Sequence, residues 1–315
     1  MNLAHLKPNN QEMLLGYNDL FLNIINLYNN KKLPNKILFS GSKGIGKATF
    51  AYHLVNYIFS ANEQFSYDVN NFKINNSNKS FNLIKNNSHP NFHLIDLLDE
   101  KKVIEISQIR EMINYANKSS FNNKEKIIFI DNVENLNLNS SNALLKIVEE
   151  PNDNVMFILI FDNSKKILQT VKSRCLKFNF FLSSTECVNI TNNIIQKDLH
   201  DIVNIDLINH YNTTGDFINL INFSLKSDID VYGYDLKNFL LNIIENKHYR
   251  KNIYIKKNIY IFIKFYFLKL INLNKSHKQI YSLYEAFIKK IFYLRKFNLD
   301  EETFFIEFKN KILNG

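Results

Sequence analysis

The stretch ILFSGSKGIGKATF, residues 37–50, decides the fold that the sequence predicts. An apolar run comes first, then a glycine-rich loop ending in Gly-Lys, then a segment with helical periodicity. The spacing G-x-x-x-x-G-K is that of a P-loop, whose backbone N–H groups surround phosphate oxygens. Gly41, Gly44 and Gly46 supply the backbone freedom that such a loop needs, and Lys47 would reach the β- and γ-phosphates of a nucleotide. The alternative is a glycine turn that occurs by chance.

Two positions depart from the pattern of a working ATPase. The residue after the P-loop lysine, whose hydroxyl normally binds Mg²⁺, is Ala48. Thr49 lies about 100° further round the helix, so it cannot simply substitute, although it could touch the α-phosphate. The apolar run IIFID ends at Asp131, which would lie beside the metal, and the next residue is Asn132 where such ATPases usually carry a glutamate. A neutral amide cannot accept a proton from water, so the two changes together favour a loss of hydrolysis.

Short apolar strands alternate with helices along the first half of the chain, which predicts a parallel α/β sheet. We expect strands at 36–39, 91–98, 126–134 and 154–162. We expect helices at 18–30, 47–59, 105–119 and 139–150, the last ending before Pro151, and an irregular insertion at 60–88. After about residue 182 the strand signals fade, and longer amphipathic helices begin near residue 232. The predicted domains are therefore an α/β P-loop domain at 1–182 and two helical domains at 183–231 and 232–315.

Charge and cysteine content limit the kinds of protein this can be. The formal net charge is +9, and residues 232–315 carry 16 Lys or Arg against 7 Asp or Glu, so this region supplies the whole excess. Such a region could be attracted to DNA phosphates, or it could be an ordinary solvated surface. Two cysteines without a CxxC pair predict no zinc site and suit a reducing, cytoplasmic setting. We expect no signal peptide, and we expect the apolar stretch 258–274 to be a buried helix because Lys264 and Lys269 interrupt it.

The tripeptide SRC contains a candidate for chemistry between subunits. Arg174 comes about a dozen residues after the apolar run that ends at Asp162, which we expect to be the last core strand. An arginine there cannot easily reach its own P-loop, but it could reach a neighbouring subunit as an arginine finger. The alternative is an ordinary surface arginine in a salt bridge.

Several segments of the chain together resemble those of a known protein family. The segments EISQIREMI, KIIFIDNVENLN, NSSNALLKIVEEPND and KKILQTVKSRCLKF, with HPNFHLID at 89–96, follow one another at characteristic spacings. Over about residues 34–183 the chain resembles the delta-prime family of bacterial DNA polymerase III clamp-loader subunits. The resemblance implies an AAA+ α/β domain with a parallel sheet, a small helical lid and an all-α C-terminal collar that assembles a pentamer.

The resemblance also implies a function. The chain would be a stator that works with gamma/tau and delta subunits to place a sliding clamp on primed DNA, without polymerase chemistry of its own. Arg174 would act in trans on ATP held by an adjacent gamma/tau subunit. ATP or ADP could occupy Gly41, Gly44, Gly46, Lys47, Thr49 and Asp131, while no zinc is expected because residues 53–100 contain no cysteine.

Two alternatives remain open at this point. The first is an active gamma/tau-type motor, against which stand Ala48, Asn132 and the acidic Asp216 that follows Gly215, where a basic sensor residue would be expected. The second is a stand-alone P-loop kinase or metabolic ATPase, in which the SRC tripeptide and the long helical region would have no role.

Overall fold

A computed structural model describes residues 6–98, 101–120, 125–149, 154–273 and 277–314. It forms two compact units, which are described separately. The first unit comprises Met1–Ile190 with Thr213–Gly215, and the second comprises Thr191–Asn212 with Asp216–Gly315. The division into three domains at residues 182 and 231 stays a prediction.

The first unit is built on a five-stranded parallel sheet in the order β2-β3-β4-β1-β5. The strands are β1 (Lys36–Gly41), β2 (Phe92–Ile95), β3 (Lys126–Ile130), β4 (Val155–Asp162) and β5 (Leu176–Asn179). Every residue of β3 and β4 is buried, as expected for strands that are covered on both faces. The carboxyl ends of β1, β3 and β4 therefore meet at one edge of the sheet, where the P-loop begins.

Helix α1 (Asn18–Asn29) precedes β1. The strands are then connected by α2 (Lys47–Ser60), α3 (Lys79–Lys85), α4 (Ile106–Asn117), α5 (Leu138–Glu149) and α6 (Gln169–Ser173), and α7 (Ser184–Ile195) follows β5. The helix α4 starts with a capping box, in which Glu105 and Gln108 each bond to the other's backbone N–H. The apolar residues of α4 and α5 pack with alternate residues of β3 and β4 in one hydrophobic cluster.

Two expectations from the sequence are wrong in this unit. The predicted irregular insertion at 60–88 contains α3, whose start is capped by the Asn78 side chain on the backbone N–H of Phe81. The run ending at Asp162 is not the last core strand, because β5 follows Arg174 and pairs with β1. Both elements are short, and β5 is an edge strand with mostly exposed side chains, so neither has a strong apolar pattern. The predicted helix end before Pro151 lies outside the described residues.

The described residues of the second unit form helices and turns but no strand. Its main helices are α8 (Thr214–Ser227), whose first two residues belong to the first unit, α9 (Leu236–Glu245), α10 (His248–Lys251), α11 (Ile253–Leu273), α12 (His277–Phe297) and α13 (Glu301–Phe308). Buried aromatic rings form much of its core, among them Phe239, Phe262, Phe267, Phe287, Phe305 and Phe308. The apolar stretch predicted as a buried helix lies in α11, which buries one face and exposes Lys264. Among the described residues, no helix combines the length and apolar character needed to cross a membrane.

The predicted fold class is confirmed in its main features: a parallel α/β P-loop domain precedes an all-helical C-terminal region. The lid and collar as separate parts of that region stay predictions.

Candidate functional site

The loop between β1 and α2 has a backbone that glycine adopts readily. Gly44 and Gly46 have positive φ values of 80° and 98°, in the region that side chains with a Cβ rarely enter. Gly46 caps α2, so the first N–H groups of that helix open towards the loop. Ala48 and Thr49 are half-buried in the first turn of α2. The loop therefore has the backbone form that an anion site at a helix N-terminus requires.

Lys47 is held inside this loop. Its side chain is buried, and its Nζ donates hydrogen bonds of 2.7 Å to the carbonyl oxygens of Gly41 and Ser42. Burial lowers the pKa of Lys47, while the nearby carboxylates of Asp162, Asp131 and Glu134 oppose that shift. An ammonium has three protons, and two of them are used here to fix its position. Lys47 is thus a preplaced cation with one donor left for a ligand.

A second segment of the first unit binds the outer side of the P-loop. The Thr213 hydroxyl donates to the Lys43 carbonyl at 3.0 Å, and the Gly215 N–H donates to the Gly44 carbonyl at 2.9 Å. A Cβ on Gly215 would lie only 2.6 Å from Gly44 Cα, so the two backbones are in contact. From the sequence, Gly215 was of interest only because of Asp216, the residue that follows it. The structure shows that this glycine is needed for the close approach itself.

Asp131 and Asn132 stand at the end of β3. The Asn132 backbone is in the left-handed region, with φ of 55°, and its N–H donates to the Asp131 side chain at 2.7 Å. The Asn132 side-chain amide donates to Asp96 Oδ1, also at 2.7 Å. Asp96 follows β2, so this bond joins the ends of two neighbouring strands. Asn132 therefore has a structural role that sequence analysis did not find.

Asp131 is an unusual carboxyl group. Burial raises its pKa to about 7, and repulsion from Asp96 adds to the shift, while the Asn132 N–H and Lys47 oppose it. Because the folded pKa lies above that of an unfolded aspartate, the group favours folding at low pH, and this contribution is lost as the pH rises through about 7.

Glu134 links β3 to β4. Its side chain is only 1% exposed, and it accepts a 3.1 Å hydrogen bond from the backbone N–H of Asp162. Asp162 is the register partner of Gly41, at the start of the P-loop. Lys165 lies 3.7 Å from the other Glu134 oxygen. Glu134 ends the D-x-x-E step in the segment KIIFIDNVENLN, which is part of the family resemblance, but no role was predicted for it from the sequence.

Arg174 makes no hydrogen bond or ion pair with the described P-loop residues, Asp131 or Glu134. It follows α6 and is exposed. Its Nη2 is 2.7 Å from Glu149 Oε1, and its Nη1 donates to the Thr170 carbonyl at 3.1 Å. The structure thus brings the P-loop, Lys47 and Asp131 together, whereas the bonds of Arg174 go to α5 and α6.

The hydrogen bond between Asn132 and Asp96 can be tested through its effect on stability. Asn132→Asp would put two carboxylates at hydrogen-bond distance, where both cannot ionise without cost. We expect a loss of about 1–3 kcal/mol in the free energy of unfolding at neutral pH, measured by urea denaturation. The loss should shrink near pH 4, where one carboxyl gains a proton and can donate again.

The matched control is Asn139→Asp, the same chemical change at an exposed position in the first turn of α5. It should have little effect on stability, since a carboxylate is favoured near a helix N-terminus. Equal stability of Asn132→Asp and the wild type at both pH values would show that the Asp96 contact is unimportant.

Comparisons with known proteins identify a family and several relatives of this chain. The family model described as DNA polymerase III, delta subunit matches residues 17–183. The gamma/tau subunit of DNA polymerase III from Mycoplasma genitalium is 30% identical over 200 residues, which are 62% of this chain and 30% of that protein. The delta-prime subunit from Buchnera aphidicola is 30% identical over 176 residues, which are 56% of this chain and 52% of that protein.

Solved structures give a more distant match. A gamma-subunit-related DNA polymerase III protein from Thermotoga maritima has 14% identity and a TM-score of 0.48, with 90% of this chain and 96% of that chain covered. The curated relatives are matched over only about a third to a half of their own length.

Proposed function

The chain belongs to the DNA polymerase III delta-subunit family, which includes the delta-prime clamp-loader subunits, and we propose that it is the stator of such a clamp loader. In this proposal it works in the cytoplasm with gamma/tau and delta subunits to help place a sliding clamp on primed DNA. It contributes an arginine to a neighbouring ATP site and has little ATPase activity of its own.

The observation that carries this proposal is a P-loop without the groups that complete an ATPase. The glycine loop and the buried Lys47 have the form needed to hold phosphate. In contrast, Ala48 offers no hydroxyl to a metal, and the Asn132 amide is bound to Asp96. A carboxylate at position 132 would meet Asp96, so the local structure itself opposes the residue that would orient water.

The residues that would hold ATP or ADP are those around the loop. Gly41, Gly44 and Gly46 shape the backbone, Lys47 supplies the charge, and Thr49 is the hydroxyl near the start of α2. Fit to the phosphate is good, while fit to its divalent cation is poor, because Ala48 lacks the hydroxyl that would bind the cation. Bound nucleotide would supply polyphosphate charge that Lys47 and the helix N-terminus can neutralise.

The exposure of Arg174 supports a role in trans. A guanidinium at the surface can meet a phosphate on another subunit, and its planar set of donors suits that ligand. A charge held there would stabilise the negative charge that develops on a transferring phosphoryl group.

The second unit offers a surface for subunit assembly on α12. This helix buries Phe287, Ile291 and Leu294 on one side. Its other sides carry large aromatic rings that are each at least 50% exposed: Tyr281, Phe292, Tyr293 and Phe297. The rings of Phe292, Tyr293 and Phe297 lie next to one another, with centroids 5.7 and 6.0 Å apart, and contiguous exposed apolar groups can mark an interaction site. We assign this surface to the contact with gamma/tau or delta subunits.

The alternative within the family is an active gamma/tau-type motor. Identity to known proteins does not separate the two, since gamma/tau and delta-prime relatives both match at 30%. The substitutions at Ala48 and Asn132 favour the stator.

Steady-state ATP hydrolysis by the isolated chain tests the proposal. We expect nucleotide binding that Lys47→Ala weakens, and hydrolysis several factors of ten below that of a gamma/tau subunit in the same assay. The chain should also co-purify with gamma/tau and delta subunits. Hydrolysis at the rate of the gamma/tau subunit that disappears in Lys47→Ala would instead establish the motor.

A further inference from the structure

Arg174 forms an ion pair with Glu149, a residue that has no role in the function proposed above. Its two terminal nitrogens are bonded separately, Nη2 to Glu149 and Nη1 to the Thr170 carbonyl. Thr170 lies in α6, four residues before Arg174, whereas Glu149 is the last described residue of α5. The guanidinium is therefore tied to two different helices.

Arg174 is also the C-cap residue of α6, a position where a cation is favoured.

The bonds leave Arg174 able to bind something else. The side chains of Arg174 and Glu149 are 37% and 47% exposed, so the pair is open to solvent. A guanidinium has five N–H donors in one plane, and contacts with the described residues engage two of its nitrogens. Fixing two nitrogens orients the plane and reduces the conformational entropy that an arginine loses when it binds a phosphate.

We propose that Glu149 is a positioning residue, which orients the Arg174 guanidinium for the ATP site of a neighbouring subunit. The proposal rests on the proposed function, because it gives Glu149 a role only if Arg174 acts in trans. The important feature of Glu149 is an oxygen that accepts a hydrogen bond at 2.7 Å. A glutamine can offer such an oxygen, and an alanine cannot.

The test uses the clamp loader reconstituted with its gamma/tau and delta subunits. DNA- and clamp-stimulated ATPase is measured for the wild type, Glu149→Ala, Glu149→Gln, Arg174→Ala and the double alanine variant. We expect Glu149→Ala to lower the stimulated rate about threefold to tenfold. Glu149→Gln should retain most of the rate. In the Arg174→Ala background, Glu149→Ala should cause no further loss, because Glu149 acts only through Arg174.

The matched control is Glu111→Ala, which removes an exposed carboxylate from α4 in the same unit and should leave the rate unchanged. Thermal unfolding of each isolated variant checks that the fold is intact. A wild-type rate in Glu149→Ala, a faster rate, an equal loss in Glu149→Gln, or an additive loss in the double variant would each overturn the proposal. If Arg174→Ala itself has the wild-type rate, the proposed finger fails as well.

Discussion

Replacing Arg174 by alanine should slow clamp loading and DNA-stimulated ATP hydrolysis in the reconstituted complex by about tenfold to a hundredfold. Arginine fingers contribute about 10³–10⁵ in rate in the strongest cases, and a loader with several ATP sites should lose less when one finger is removed. The isolated variant should fold and bind nucleotide as the wild type does, because Arg174 is exposed and bonded only to Glu149 and Thr170 among the described residues.

Arg174→Lys should be almost as slow as Arg174→Ala. Lysine keeps the positive charge but lacks the planar donors that can contact Glu149 and a phosphate together. The matched control is Lys166→Ala, which removes another exposed cation from the segment between β4 and α6. Equal loading rates for Arg174→Ala and the wild type would leave Arg174 a structural residue, and the stator would then contribute only geometry.

Truncating Ile128 to alanine should lower the free energy of unfolding of the α/β unit by about 2–5 kcal/mol. Ile128 and Ile130 are fully buried in β3, which confirms the expectation for this strand. Ile128 belongs to the hydrophobic cluster that joins the sheet to α4 and α5. The cost combines lost transfer free energy with a cavity that tightly packed neighbours cannot fill.

Two variants make this measurement specific. Ile128→Val should cost only about 0.5–1.5 kcal/mol, since it removes a single methylene. Leu176→Ala, on the edge strand β5, should cost less than Ile128→Ala because that side chain is 41% exposed. Urea denaturation should therefore show the largest loss of stability for Ile128→Ala among the three variants. A loss for Ile128→Ala no larger than that for Leu176→Ala would contradict the assigned core.

The sequence predicted the parts of the fold that depend on strong local patterns. Apolar runs long enough to be buried on both faces identified β1, β3 and β4, and the G-x-x-x-x-G-K spacing located the P-loop between β1 and α2. It did not predict β5 or α3. Strand β5 is stabilised by pairing with β1, and α3 by the Asn78 cap, rather than by an apolar pattern of their own.

The candidate site was predicted less completely. Roles in nucleotide binding could be assigned to Lys47 and Asp131 from their motifs. The absence of a hydroxyl at Ala48 and of a carboxylate at Asn132 was also evident from the sequence. The hydrogen-bond partners around the site could not be predicted, because they come from distant parts of the chain. Asp96 is 36 residues from Asn132, and Thr213 is 170 residues from Lys43.

By itself, the sequence determined the family, the order of the main core strands and helices, and the groups of an ATPase that this chain lacks. These properties reside in residue identity and short-range spacing, which the chain carries before it folds. Only the tertiary structure determined which group the Asn132 amide contacts, which backbone lies against Gly215 and which residues hold Arg174. Each answer depends on a contact of about 3 Å between segments far apart in sequence, and such contacts arise only when the sheet and its helices bring those segments together.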